Sequence, residues 1–126
     1  MSDKKTIAWI VGIAVLIAAL FFVMWYFSRP VSPYGNLDSF AQCLAEKKVT
    51  MYGMYSCSHC QTEKARVGSS FKYIPYVECT QEPQKCTVAG IDAVPTWVLS
   101  DGTKLVGEQG LEKLSEVSGC SLPPTE

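Results

Sequence analysis

The sequence predicts an α/β domain, a mixed sheet with helices on both faces, carried behind one N-terminal transmembrane helix. Three observations lead there: an uncharged apolar run near the N-terminus, an alternation of helix-like and strand-like segments after it, and two cysteines separated by two residues where a strand passes into a helix. With 126 residues in all, one small domain beyond the anchor is the economical organisation.

Thr6 to Phe27 reads TIAWIVGIAVLIAALFFVMWYF, 22 residues without a charge. At about 1.5 Å per residue this covers the roughly 30 Å of a hydrocarbon core. Trp9 near its start and Trp25 and Tyr26 near its end stand where amphipathic rings favour the headgroup region. Bulky Phe21, Phe22, Met24, Trp25 and Tyr26 replace the small residues of a signal-peptidase site, so the helix is expected to be retained. Lys4 and Lys5 precede the span and only Arg29 follows closely, which predicts residues 1–5 in the cytoplasm, 6–27 across the cell membrane and the domain beyond it outside. Six cysteines in one small domain suit an oxidising compartment in the same way. From Ser28 onward 9 Lys and Arg face 11 Asp and Glu with no like-charge run, so nothing points to nucleic acid.

Residues 28–36, SRPVSPYGN, read as a short stiff linker, and the domain is expected over 37–120 with a flexible tail at 121–126. Leu37, Phe40, Ala41 and Leu44 recur at helical spacing, with Asn36 or Asp38 to cap the first turn; this helix should end near Lys48. Val49 to Tyr55 is rich in β-formers, and QTEKARVGSSF after Cys60 predicts a helix. Tyr73 to Cys79 predicts a second strand, Pro83 to Ala89 a short helix opened by proline, and Thr96 to Ser100 a third strand. Asp101–Gly102 turns the chain into a fourth strand, Thr103 to Val106, and Leu111, Leu114 and Val117 mark a last helix that Gly119 can end. Strands separated by helices are expected to pair in parallel and the last two to form a hairpin. The order α-β-α-β-α-β-β-α is that of a thioredoxin-like fold.

Two cysteines at a helix N-terminus can close a small disulfide, and the unpaired amides and helix dipole there stabilise a thiolate. Cys57 is therefore the expected nucleophile, and Cys60, one turn inside, the thiol that resolves a mixed disulfide. His59, the only histidine, lies between them and can favour the thiolate, stabilising the reduced form and biasing the pair toward oxidising its partners. Haem attachment is excluded because Gln61 stands where an axial histidine must follow. Val94, Pro95 and Thr96 form a second signal: a proline just before a strand is a frequent cis site, and in a thioredoxin-like fold this turn would lie beside the cysteine pair, where the Val94 backbone could pair with an extended substrate.

The runs MYGMYSCSHC, FKYIPYVEC and AGIDAVPTW, in this order, resemble the thioredoxin-like domain of bacterial vitamin K epoxide reductase homologues, with a CxHC motif similar to that of DsbA. The resemblance covers Leu37 to Cys120. It implies a periplasmic partner that passes disulfides between a membrane quinone-linked enzyme and secreted proteins, with Cys57 and Cys60 as the redox pair and Pro95 as its cis-proline. The family's proline after the first cysteine is Ser58 here, and the aromatic before that cysteine is Ser56. The four-helix quinone enzyme is not in this sequence, so the membrane redox partner is expected to be a separate polypeptide. Met51 occupies the place of the buried acid of thioredoxin, which leaves water, His59 or Glu63 to take the Cys60 proton.

Cys43, Cys79, Cys86 and Cys120 allow three pairings. Locality favours Cys79 with Cys86, after which Cys43 with Cys120 would tie the first helix to the end of the last. No cofactor or metal is expected. The leading reading is an enzyme that exchanges disulfides with extracytoplasmic cysteine-containing proteins. Its competitors are a non-catalytic binding module and a zinc-stabilised domain drawing on Cys79 and Cys86.

Overall fold

A computed structural model describes residues 3–28 and 33–125, and the chain divides into two compact units, residues 1–30 and residues 31–126. Residues 29–32 of the expected linker, with the Arg29 used to orient the span, lie outside the described residues, as do Met1, Ser2 and Glu126.

The first unit is one helix, α1 (Asp3–Phe27), 25 residues with no buried side chain. Apolar residues occupy every face of it, so no stripe exists to pack against a soluble core. By length and composition it is able to cross a membrane.

The second unit is a mixed α/β fold. Helix α2 (Asp38–Glu46) buries Phe40, Ala41 and Leu44 at helical spacing, and Asn36 Oδ1 accepts the Asp38 amide at 2.7 Å, holding the first turn. Strand β1 (Thr50–Gly53) follows, then α3 (Ser58–Val67). The expected run of helix through Phe71 stops at Gly68, whose φ of 63° breaks the α-helical path, and Gly68–Tyr73 continues as a 3₁₀ turn. Then come β2 (Tyr76–Glu78), α4 (Pro83–Val88), β3 (Thr96–Val98), β4 (Lys104–Val106) and α5 (Gly110–Ser118), closed by Gly119 in the left-handed region. Each strand is shorter than its β-forming run because pairing, not propensity, sets its ends.

The sheet order is β2-β1-β3-β4. Strands β1 and β2 are parallel, with Met51 beside Tyr76, and β3 and β4 form the antiparallel hairpin. One expectation is corrected here: β3 lies antiparallel to β1, Met51 facing Trp97 and Tyr52 facing Thr96, although helices separate the two. The connection from β2 to β3 does not return the chain to the far end of the sheet. Its only helix has six residues, about 9 Å of rise, and is tied by the Cys79–Cys86 disulfide to the end of β2, so β3 starts from the edge where β1 and β2 stop. That reversal puts Pro95 at the same sheet edge as the segment running from β1 into Cys57.

The two faces of the sheet are distinct. Met51 and Trp97, both fully buried, share one face and meet α3 through the bond from Trp97 Nε1 to Glu63. Tyr52, on the other face, shares a shallow depression with Gln84, Lys85 and Val88 of α4. Leu37, Leu44, Leu111 and Leu114 complete the core.

Disulfides join Cys43 of α2 to Cys120 after α5, across 77 residues, and Cys79 to Cys86, across 7. Loop-closure entropy makes the long bridge worth about 4 kcal/mol and the short one about 2.5 kcal/mol. In urea unfolding of the detergent-solubilised chain, Cys43→Ala/Cys120→Ala should therefore lose more stability than Cys79→Ala/Cys86→Ala; the reverse order would contradict this assignment of their roles.

Candidate active site

Cys57 is the N-cap of α3, with extended backbone (φ −84°, ψ 117°) and its sulfur at the open end of the helix. The Cys60 amide points at that sulfur, 3.4 Å away, as an N-cap acceptor would receive it. The approach is braced on both sides. Tyr55, two residues before Cys57, donates its amide to Glu78 Oε1 (3.2 Å), and its carbonyl accepts from Gln61 Nε2 (2.6 Å). Cys57 is half-buried and Cys60 is buried, and both are free thiols in this structure.

The Val94–Pro95 peptide is cis, and the Val94 carbonyl faces Cys57 Sγ at 3.7 Å. The loop is held in place by two bonds: Thr96 Oγ1 donates to the Ala93 carbonyl (2.7 Å) and the Gly107 amide to the Pro95 carbonyl (2.7 Å). The fold thus brings together Cys57, Cys60 and Val94, from α3 and the start of β3.

Electrostatics make the two thiols unequal. The Cys57 thiol is held below its ordinary range, first by hydrogen bonding from the Cys60 side chain. Partial burial opposes the shift, and the amides of Cys60 and His59 reinforce it. Burial, then the bond to Cys57, pushes Cys60 up to about 11. One sulfur is readied as a thiolate while the other keeps its proton. Cys60 also faces Tyr76 across Gly53, where a Cβ would come within 3.2 Å of both the Cys60 sulfur and the Tyr76 hydroxyl. That phenol is raised by burial and by its 2.6 Å bond to Glu78, while Lys64 Nζ sits 3.6 Å from its ring centre.

His59 has a mostly exposed side chain whose ring is turned onto the Glu108 carboxylate, and only its backbone amide is among the groups lowering Cys57. Glu108 also binds Arg66 at 2.8 Å, and Arg66 binds Glu63 at 2.5 Å. Glu63, buried, takes Trp97 Nε1 at 2.9 Å and the Gly110 amide at 3.1 Å. Met51 is in the core. Cys79 and Cys86, which a zinc site would need as thiolates, are bonded to each other.

Sequence reading did not find Glu108, Arg66, Tyr76 or Glu78. No local pattern marks them: Glu108 is 49 residues from His59 and meets it only through the β3–β4 hairpin. Tyr76 and Glu78 sit within a strand run that reads as ordinary β-structure.

No protein-family model matches the chain. A curated relative, the thiol-disulfide oxidoreductase LTO1 of Arabidopsis thaliana, is 36% identical over 104 residues, which is 75% of this chain. The chain spans only 27% of that relative's length.

The unequal thiols set a pH signature. A thiol held low becomes thiolate below the ordinary thiol range, and one raised to about 11 stays protonated through neutral pH. Iodoacetamide at pH 7 should thus modify Cys57 alone, with Cys60 reacting only as the pH approaches 11. Peptide mass spectrometry after timed alkylation reads both sites, and equal labelling at pH 7 would contradict the asymmetry.

Proposed function

We propose that this chain is a thioredoxin-like, membrane-anchored thiol-disulfide oxidoreductase acting on extracytoplasmic proteins through Cys57 and Cys60. The observation that carries the reading is the N-cap position of Cys57, with its sulfur against both the buried Cys60 and the Val94 carbonyl before cis-Pro95. The relative's name agrees with that chemistry, and the mixed sheet with helices on both faces is compatible with the thioredoxin-like arrangement. Helix α1 supports anchoring, and the two disulfides support an oxidising compartment.

In the oxidising direction the Cys57–Cys60 disulfide meets a substrate thiolate. That thiolate attacks Cys57 Sγ, the sulfur–sulfur bond breaks, and Cys60 leaves and takes up a proton, as its raised affinity favours. A second substrate thiolate then attacks the substrate sulfur of the mixed disulfide. Cys57 leaves as a stabilised thiolate, and two electrons have passed from the substrate dithiol to the cysteine pair. The Val94 backbone holds an extended substrate segment alongside. A membrane enzyme similar to vitamin K epoxide reductase would return the pair to the disulfide.

Exchange is reversible: in the opposite direction the Cys57 thiolate attacks a substrate disulfide, and Cys60 attacks Cys57 Sγ to resolve the mixed disulfide. Cys60→Ala removes that resolving thiol and leaves Cys57 able to attack, so membranes expressing it should accumulate disulfide-linked adducts that dithiothreitol releases. Cys57→Ser should form none and lose at least about 1,000-fold in thiol-exchange rate, since an alcohol is no nucleophile for sulfur at neutral pH. Adducts absent from Cys60→Ala, or exchange retained in Cys57→Ser, would refute the reading.

A further inference from the structure

The sequence places a histidine beside the reactive cysteine, where an imidazolium would favour the thiolate, but the fold gives that histidine a carboxylate. Glu108 reaches the site from the segment between β4 and α5 and engages His59 Nδ1 with one oxygen and Arg66 with the other. Arg66 in turn is shared with Glu63. With a neutral imidazole, the four side chains carry two negative charges and one positive, so the cluster beside Cys57 is net negative; with an imidazolium it is neutral. In neither case does it present net positive charge to the sulfur. Two further groups face the cysteine pair, Tyr76 from β2 and Lys64 along α3, and neither belongs to this cluster. Glu108 is one of the groups that work against the Cys57 thiolate, and its own carboxyl is held low, first by His59 and then, against partial burial, by Arg66.

We propose that Glu108 is a positioning residue that occupies the His59 ring and opposes the Cys57 thiolate with its own charge, so that it makes the cysteine pair less oxidising than the CxHC motif alone would. This rests on the redox role given to Cys57 and Cys60 above and deepens it. A carboxylate brought in from a distant loop sets how far the histidine in the motif acts. The chemistry requires no added reactant. The reduced form is stabilised to the extent that Cys57 is a thiolate, so a charge that disfavours the thiolate shifts the equilibrium toward the disulfide.

The test uses the full chain in detergent, equilibrated with mixtures of reduced and oxidised glutathione and then alkylated, together with the pH profile of Cys57 alkylation. Glu108→Gln keeps the shape and removes the charge. It should shift the equilibrium constant about threefold to tenfold toward the reduced form, at most about 30 mV, and move the alkylation profile to lower pH. Glu108→Asp, which keeps the charge, should stay within about twofold of the wild type, a rescue that a purely structural role would not produce. Adding His59→Ala to Glu108→Gln should return part of the shift. Glu108→Gln within twofold of wild type, a shift toward the disulfide, or an equal shift in Glu108→Asp would overturn the proposal. A double variant that keeps the whole shift would overturn the part given to His59. Both readouts are made without a protein substrate, so their failure is distinct from a failure of Cys60→Ala to trap partners.

Discussion

A single buried carboxylate holds together the parts that make the site. Glu63 lies on α3 one turn beyond Cys60, and its side chain is 1% exposed. A carboxylate in that position must have its oxygens satisfied, because a buried charge without partners costs several kcal/mol. Its partners come from three places: Trp97 on β3, the Gly110 amide at the start of α5, and Arg66 on its own helix. Those elements also supply the cysteine pair, the segment after cis-Pro95, and the neighbourhood of Glu108. Satisfying Glu63 therefore fixes the spacing between the helix bearing the thiols and the strand that begins at their side. Its occupied oxygens also suit a structural role better than the proton-accepting one open to it from sequence.

On that frame the two thiols diverge for geometric reasons. Cys57 is at the mouth of α3, where amides have no carbonyl partners and a sulfur can accept from them. Cys60, three residues later, points inward over Gly53 toward Tyr76, where water is excluded. The same short helix thus lowers one proton affinity and, through burial, raises the other. Around this pair the charged side chains form a second layer, His59 to Glu108 to Arg66 to Glu63, that runs from solvent to the core and couples the exposed motif to the buried carboxylate.

The stabilising devices fit a small domain. Its core draws on one face of a four-stranded sheet, and two covalent bridges restrain the ends: one staples α4 to the end of β2, the other ties α2 to the chain after α5. The short bridge has a topological role as well, since it keeps the β2–β3 connection at one end of the sheet.

Local features were legible because they depend on neighbours in the chain. The apolar run of α1, the 3.6-residue pattern of Phe40, Ala41 and Leu44, proline at the start of α4, and the strand–cysteine–helix junction at Cys57 all follow from periodicity and backbone chemistry. The antiparallel placement of β3 against β1 was not, because strand direction depends on where a connection re-enters the sheet rather than on the residues of the strand. The meeting of Glu108 and His59, 49 residues apart, was not legible either; that of Val94 and Cys57, 37 apart, followed from the expected fold and from no local pattern. The sequence by itself determined which atoms are able to react, since a CxxC pair at a helix start carries its own chemistry. Only the tertiary structure decided which charges and carbonyls surround them, because electrostatic interactions act through distance in space, which chain separation does not encode.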